Sequence, residues 1–345
     1  MADMDTFIRD IPKAELHLHI EGTLEPELKF ELAARNGITL PYKTVEEAIA
    51  GYNFDSLTSF LVGYYEGMGV LIEEQDFYDL AMAYFRKVAA ENLIYAEIFF
   101  DPQGHTSRGV PFANVINGLH RARQDAATQL GVEVQLIMCF LRDMSAESAM
   151  ETLDSAEPYK DLIIAIGLDS DERDNPPSKF QEVYDKARSQ GYHLTMHCDV
   201  DQNNTTEHIR QALFDIEVER IDHGVNSLDD ENLTEEIIGR AMGLTVCPIS
   251  NIQVVQDSKA AQIKTMLDKG MLVTVNSDDP AYFQAYITEN LKVAQAEGRL
   301  SFEEVTRLVR NAFTISWAPE ESKAMHMRRL DEYVAANPDA IKHET

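Results

Sequence analysis

Eight short runs of apolar, β-prone residues alternate with longer amphipathic stretches, and this rhythm limits the folds open to the chain. The runs fall at residues 14–20, 94–100, 134–141, 162–168, 193–198, 218–223, 244–248 and 272–277. Helical patterns occupy 74–91, 112–130, 178–190, 206–214, 229–241 and 259–269. Strands that alternate with helices pair in parallel, because the return path crosses the sheet face as a helix. Eight such units favour a closed (β/α)8 barrel over an open doubly wound sheet. No Gly-x-Gly-x-x-Gly follows the first run, which further disfavours a dinucleotide-binding sheet. The expectation is an α/β fold with one domain over residues 1–345, a TIM-like (β/α)8 barrel. A helical insertion at 23–65 after the first strand would cap its mouth, and extra helices beyond Ser301 would brace its outside.

Acidic residues outnumber basic ones 59 to 30, a formal net charge of -29. Such a field repels phosphate, so nucleic acid and anionic membranes are not expected partners. No window approaches the ~18–20 continuous apolar residues that cross a bilayer. The opening Met-Ala-Asp-Met-Asp lacks the basic and apolar regions of a secretory signal. Cys139, Cys198 and Cys247 are widely spaced, sit in apolar runs and form no Cys-x-x-Cys. They read as small buried hydrophobes in a reducing, cytoplasmic setting. The expected partner is a small molecule, neutral or cationic.

In such barrels the chemistry sits at the C-terminal ends of the strands. The first run ends in His17-Leu-His19, whose imidazoles share one strand face because alternate residues point the same way. Two histidines at this spacing are, alone, ordinary half-buried strand residues. Further polar groups arrive at the same rim, however: His197 from the fifth run, Asp222-His223-Gly224 from the sixth and Asn276-Ser277-Asp278-Asp279 from the eighth. His17, His19, His197 and Asp278 would supply three nitrogens and one oxygen to a Zn²⁺ ion, one per chain, leaving a position for water. The bound water would titrate near neutrality and become a nucleophile. His223 is better placed to orient and deprotonate that water than to ligate, and Asp278 can share the task. Mg²⁺ is disfavoured because it prefers oxygen shells, whereas Fe²⁺ is an alternative. Asp222 could hold the His223 tautomer, although strand alternation points it away. His105 and Arg108 could line the mouth, and His193 reads as structural. His120, His208, His326 and His343 read as surface residues.

The segments Pro12-Lys-Ala-Glu-Leu-His-Leu-His-Ile-Glu-Gly-Thr-Leu-Glu-Pro-Glu27, Arg220-Ile-Asp-His-Gly224, Leu244-Thr-Val-Cys-Pro-Ile-Ser-Asn251 and Val275-Asn-Ser-Asp-Asp-Pro-Ala-Tyr-Phe283 carry a resemblance. Over nearly its whole length the chain resembles the adenosine/adenine deaminase family of the amidohydrolase superfamily. The resemblance implies that His17, His19, His197 and Asp278 bind zinc, that His223 orients the attacking water and that Asp279 hydrogen-bonds a purine ring nitrogen. It implies hydrolytic removal of an exocyclic amine from a purine with release of ammonia, and a homodimer. Where nucleoside deaminases carry a ribose-reading aspartate, this chain has Glu21, whose longer side chain could fill that space. Asp101-Pro-Gln, Gly167-Leu-Asp-Ser170 and Pro176-Pro-Ser-Lys-Phe180 also look like the free-base branch. The expected reaction is therefore adenine to hypoxanthine plus ammonia, with the backbone near Gly167 positioning the ring.

One departure bears on the chemistry. The family's fifth strand normally ends His-Ala-Gly-Glu, and the glutamate protonates a ring nitrogen. Here the sequence is His197-Cys-Asp-Val-Asp201, and Val200 has no proton to give. General acid help is typically worth ~10²–10⁴-fold in rate. Three readings stand: Asp199, or else Asp201, supplies the proton; the substrate is a different or N6-substituted aminated heterocycle; or the chain is a weakly active or inactive metal-binding relative. Asp199 is favoured because it shares the strand face of His197 if extension continues. Hydrolysis of a different C–N bond is a further rival with the same metal set.

Overall fold

The computed structural model describes residues 3–198 and 202–338. Eight parallel strands follow one another in sequence order around a (β/α)8 barrel. They are β1 (Lys13–Glu15), β2 (Leu93–Phe100), β3 (Glu133–Leu141), β4 (Ala165–Asp169), β5 (His193–Cys198), β6 (Arg220–His223), β7 (Gly243–Val246) and β8 (Leu272–Val275). All eight arise from the expected runs. β4 starts later than its run because Glu157–Leu162 winds into a 3₁₀ helix first. β1 is regular only to Glu15, yet its backbone continues alongside β2 and the end of β8 through bridges at Leu18 and His19.

The helices between strands place one apolar stripe on the barrel. In Glu74–Ala89, Phe77, Leu80, Ala81, Tyr84, Phe85 and Val88 are buried at three- and four-residue intervals, while the first turn is acidic and the last basic. The insertion contains the helices Pro26–Arg35, Val45–Ala50 and Leu57–Gly67. Leu57–Gly67 turns Phe60 and Tyr64 inward, where they pack with Met68, Tyr282 and Phe283 into an aromatic cluster over the mouth. Beyond β8, Phe302–Ile315 lies against the barrel, with Asn311 Nδ2 donating to the Val273 carbonyl at 2.9 Å. Glu320–Ala336 packs outside it and buries His326 between Tyr95 and Phe313. No helix among the described residues is long and apolar enough to cross a membrane.

The join between the last strand and the first relies on a few bonds. Asp278 N–H donates to the His17 carbonyl at 3.1 Å, and His19 N–H donates to the Asp278 carbonyl at 3.0 Å. Leu16 N–H donates to Asn276 Oδ1 at 2.9 Å, and Ser277 N–H to Glu15 Oε1 at 2.8 Å. Burial pushes the Glu15 carboxyl up to about 7 against the hydrogen bonds from Ser277 and Tyr84. These side chains fix where the strand carrying Asp278 and Asp279 ends.

Candidate active site

His17, His19, His197 and Asp278 converge at the C-terminal rim, their donor atoms all within 4.8 Å of one another. Asp278 Oδ1 stands 3.2 Å from His17 Nε2 and 3.3 Å from His19 Nε2, and His19 Nε2 stands 3.1 Å from His197 Nε2. Atoms about 2.0–2.1 Å from one shared ion stand roughly 2.9–3.4 Å apart at angles of 90–110°. The observed spacing meets that requirement.

The remaining ring nitrogens say which atoms are free to ligate. His17 Nδ1 lies 2.9 Å from Thr245 Oγ1, and the Thr245 hydroxyl donates to Asp222 Oδ1 at 3.0 Å. Thr245 must therefore accept the His17 Nδ1 proton, leaving a lone pair on Nε2, a buried atom with no hydrogen-bond partner. His197 Nδ1 donates to the Leu168 carbonyl at 3.0 Å, which frees its Nε2 likewise. His19 Nδ1 lies 3.3 Å from Asp169 Oδ2, so its proton is held on that side. Three Nε2 atoms thus face one another and a carboxylate, an arrangement that suits a cation and little else.

Electrostatics agree. Burial, then the neighbouring His17 and His19, hold His197 well below the usual imidazole range. Burial opposes ionisation of Asp278, but His17 and His19 overcome it and hold the carboxyl well below its ordinary value. Burial also opposes a charge on His19, yet Asp169 and Asp278 raise it well above the usual range, so an incoming ion must displace a proton there. Burial, then His17, bring His223 down to about 4, which keeps this imidazole neutral and able to accept a proton at pH 7. Burial, then the adjacent Asp278 carboxylate, push Asp279 well above the carboxylate range.

Backbone strain marks the same residues. His223 and Asp278 both have φ 65°, the left-handed region that costs a non-glycine residue of order 1–3 kcal/mol. His223 is the last residue of β6, and Asp278 lies just beyond the end of β8. Asp279 in turn presses on Gly22, where a Cβ would stand 2.1 Å from Asp279 Oδ1 and 2.7 Å from its Cα. Only glycine fits there.

Above the donors opens a cavity at the C-terminal rim of the barrel. Asp101, Asp169, Glu172, His223, Asp278 and Asp279 form its polar floor, and Leu57, Phe60, Leu61, Tyr64, Tyr65, Val254 and Val255 its apolar walls.

The structure brings His17, His19, His197, His223, Asp278 and Asp279 together. Asp199 lies outside the described residues, as do Val200 and Asp201. Two expected substrate contacts sit elsewhere. Glu21 is not among the cavity-lining residues: its Oε1 accepts from Asp101 N–H at 3.1 Å and lies 2.8 Å from His105 Nε2, a buried pair beneath the floor. Gly167 is inside β4, where a Cβ would meet Cys139 Sγ at 2.5 Å, so it faces barrel packing rather than the cavity. Asp222 does not hold His223. Its oxygens are taken by Thr195 and Thr245, and it braces His17 instead. His105, His208 and His326 are buried rather than lining the mouth or lying on the surface. Asp101 and Asp169, at the ends of β2 and β4, were unassigned. Their signal was position, a carboxylate at a strand's C-terminal end. For Thr245 there was none.

Comparison with known proteins gives the same picture. The adenosine deaminase family profile matches residues 12–333. An uncharacterized deaminase of Schizosaccharomyces pombe is 52% identical over 337 residues, covering 97% of this chain and 99% of that protein. An adenine deaminase of Acinetobacter baylyi is 51% identical over 327 residues, covering 94% and 98%. The crystal structure of an adenine deaminase from Arthrobacter aurescens superposes with a TM-score of 0.91 at 42% identity, covering 94% of this chain and 99% of that one. With a matching profile, fold and rim of donors, the chain belongs to the adenosine deaminase family.

Proposed function

We propose that this chain is a hydrolytic deaminase that converts adenine to hypoxanthine and ammonia with the help of one zinc ion. The observation that carries the reading is the set of three inward Nε2 atoms and one carboxylate beneath a cavity lined by carboxyl groups and aromatic side chains. Relatives about half identical along almost their full length are named adenine deaminases, which supports adenine as the substrate.

Imidazole nitrogens with one carboxylate suit zinc, with Fe²⁺ the alternative. When bound, the ion supplies Lewis acidity that makes a water nucleophilic at neutral pH. His17, His19, His197 and Asp278 are the residues that would hold it. His223, neutral and beside them, accepts a proton from the attacking water and so holds the water's remaining lone pair toward the carbon that bears the amine. Asp279, fixed by Gly22, hydrogen-bonds a ring nitrogen and sets the ring's orientation. The aromatic helix Leu57–Gly67 covers the ring and excludes bulk water, which strengthens each polar contact beneath it.

Incubating purified protein with adenine, adenosine and N6-methyladenine tests the reading directly. Falling adenine absorbance with one ammonia released per hypoxanthine formed is the expected result. Ammonia release from adenosine in preference to adenine would overturn the free-base assignment. Metal analysis of the same sample separates zinc from iron.

A further inference from the structure

Deamination needs a proton on the ring nitrogen next to the carbon under attack, and Val200 cannot supply one. Among the described residues the cavity-lining carboxyl groups are Asp101, Asp169, Glu172, Asp278 and Asp279. Asp278 belongs to the metal donors and Asp279 packs against it over Gly22. Asp169 lies 3.3 Å from His19 Nδ1, and Asp101 accepts from the Tyr64 hydroxyl at 3.1 Å. Glu172 alone of the five is paired with an imidazole outside the metal set. Its Oε1 stands 2.8 Å from His208 Nδ1, and both side chains are buried.

The surroundings hold this pair in place. Glu172 follows β4, and its carbonyl accepts from Asn175 N–H at 3.2 Å. The Asn175 carbonyl accepts from buried Arg142 through Nε at 3.0 Å and Nη2 at 2.8 Å. The same guanidinium donates through Nη1 to the His197 carbonyl at 2.6 Å. One arginine thus ties the loop carrying Glu172 to the strand end carrying a metal donor. Gln202 Nε2 lies 3.1 Å from His208 Nδ1, so the imidazole is steadied from the fifth-strand loop as well. A helix-surface histidine would need none of this.

We propose that Glu172 donates the proton to the purine ring nitrogen, with His208 as the positioning residue that delivers and restores that proton. The inference rests on the aminopurine deaminase reading of this site. As the water oxygen bonds to C6, one water proton passes to His223 and the ring's electron pair moves onto N1, which takes the proton of Glu172. The C6–N6 bond then breaks, the amine leaves as ammonia with the proton held by His223, and C6 becomes a carbonyl. The second water proton leaves that oxygen and replaces the one lost from the Glu172–His208 pair. N1 keeps its hydrogen in the oxopurine product, and no oxidant or further reactant is required.

The test compares metal-loaded wild type, E172Q, E172D, H208Q and D199N on adenine, with kcat, KM and metal content measured for each. E172Q should lose at least about 100-fold in kcat while KM and metal content stay within about threefold. E172D, which keeps an acid, should recover part of that loss, and H208Q should lower kcat with KM held. Three results overturn the proposal: E172Q turning over within about threefold of wild type, E172D falling as far as E172Q, or a 100-fold loss in D199N with E172Q spared. A wild type that releases no ammonia from any aminopurine sinks the functional reading and the pair with it. An active wild type with an equally active E172Q sinks the pair alone.

Discussion

Thr245 carries no charge and is not among the residues that line the cavity above the donors, yet it decides which nitrogen of His17 faces them. Its hydroxyl gives its own proton to Asp222 and so can only accept from the imidazole. Thr245→Val keeps the shape and removes the acceptor. It should weaken metal affinity by about 10- to 100-fold, read by competition with a chromophoric chelator. An unchanged affinity would mean that packing alone orients His17. His17→Ala should go further, leaving below about a tenth of an ion per chain and no ammonia release, because a tetradentate site rarely survives loss of a nitrogen ligand. The four donors were readable from sequence because strand period places His17 and His19 on one face and the barrel brings strand ends to one rim. The placement of Thr245 and Glu172 was not, because their hydrogen-bond partners lie more than thirty residues away in the chain. His208 and His326 looked like surface residues for a similar reason. The side a helix turns inward is fixed by what packs on it, and single histidines do not reveal that phase.

Among the elements, the turn after β1 is the most demanding. Glycine at 22 lets Asp279 approach the backbone, and a methyl group there would push the carboxyl out of place. Gly22→Ala should therefore lower kcat/KM on adenine by on the order of 100-fold and lower the thermal transition as well, because the methyl group meets the Asp279 backbone besides its carboxyl. A wild-type rate would show that Asp279 has room to spare. The strand runs translated into strands with few changes, since continuous apolar stretches bounded by polar turns are what a buried parallel sheet requires. Where the reading slipped, local geometry won. Leu162 joins a 3₁₀ turn, and the helical patterns at 112–130 and 206–214 give way to wider π-type turns over Ala126–Leu130 and Ala212–Ile216, which apolar periodicity does not distinguish from α.

At the scale of the full barrel, stability should respond to protons and to metal. Burial, then Arg329, bring His326 down to about 4, from about 6.5 when unfolded. A lowered folded value means that unfolding takes up a proton. The contribution is complete above about pH 6.5 and disappears as pH falls through 4. It amounts to at most about 3 kcal/mol. His326→Phe should flatten the loss of Tm across that window relative to wild type, and parallel curves would place the acid sensitivity elsewhere. Stripping the ion with a chelator should also lower Tm by several degrees, reversed by zinc. Ligand at a thousand times its dissociation constant stabilises the native state by about 4 kcal/mol. A Tm indifferent to chelation would argue against a resident ion.

The joint between β8 and β1 has few backbone bonds, and the side chains proposed to hold the ion straddle it: His17 and His19 on one side, Asp278 on the other. Nothing synthesised before residue 278 can complete the coordination sphere, so an emerging polypeptide holds at most a partial, weak set of imidazoles. Tight loading must then come after the ring shuts, and ion uptake during refolding would time that final event more sharply than helix content does.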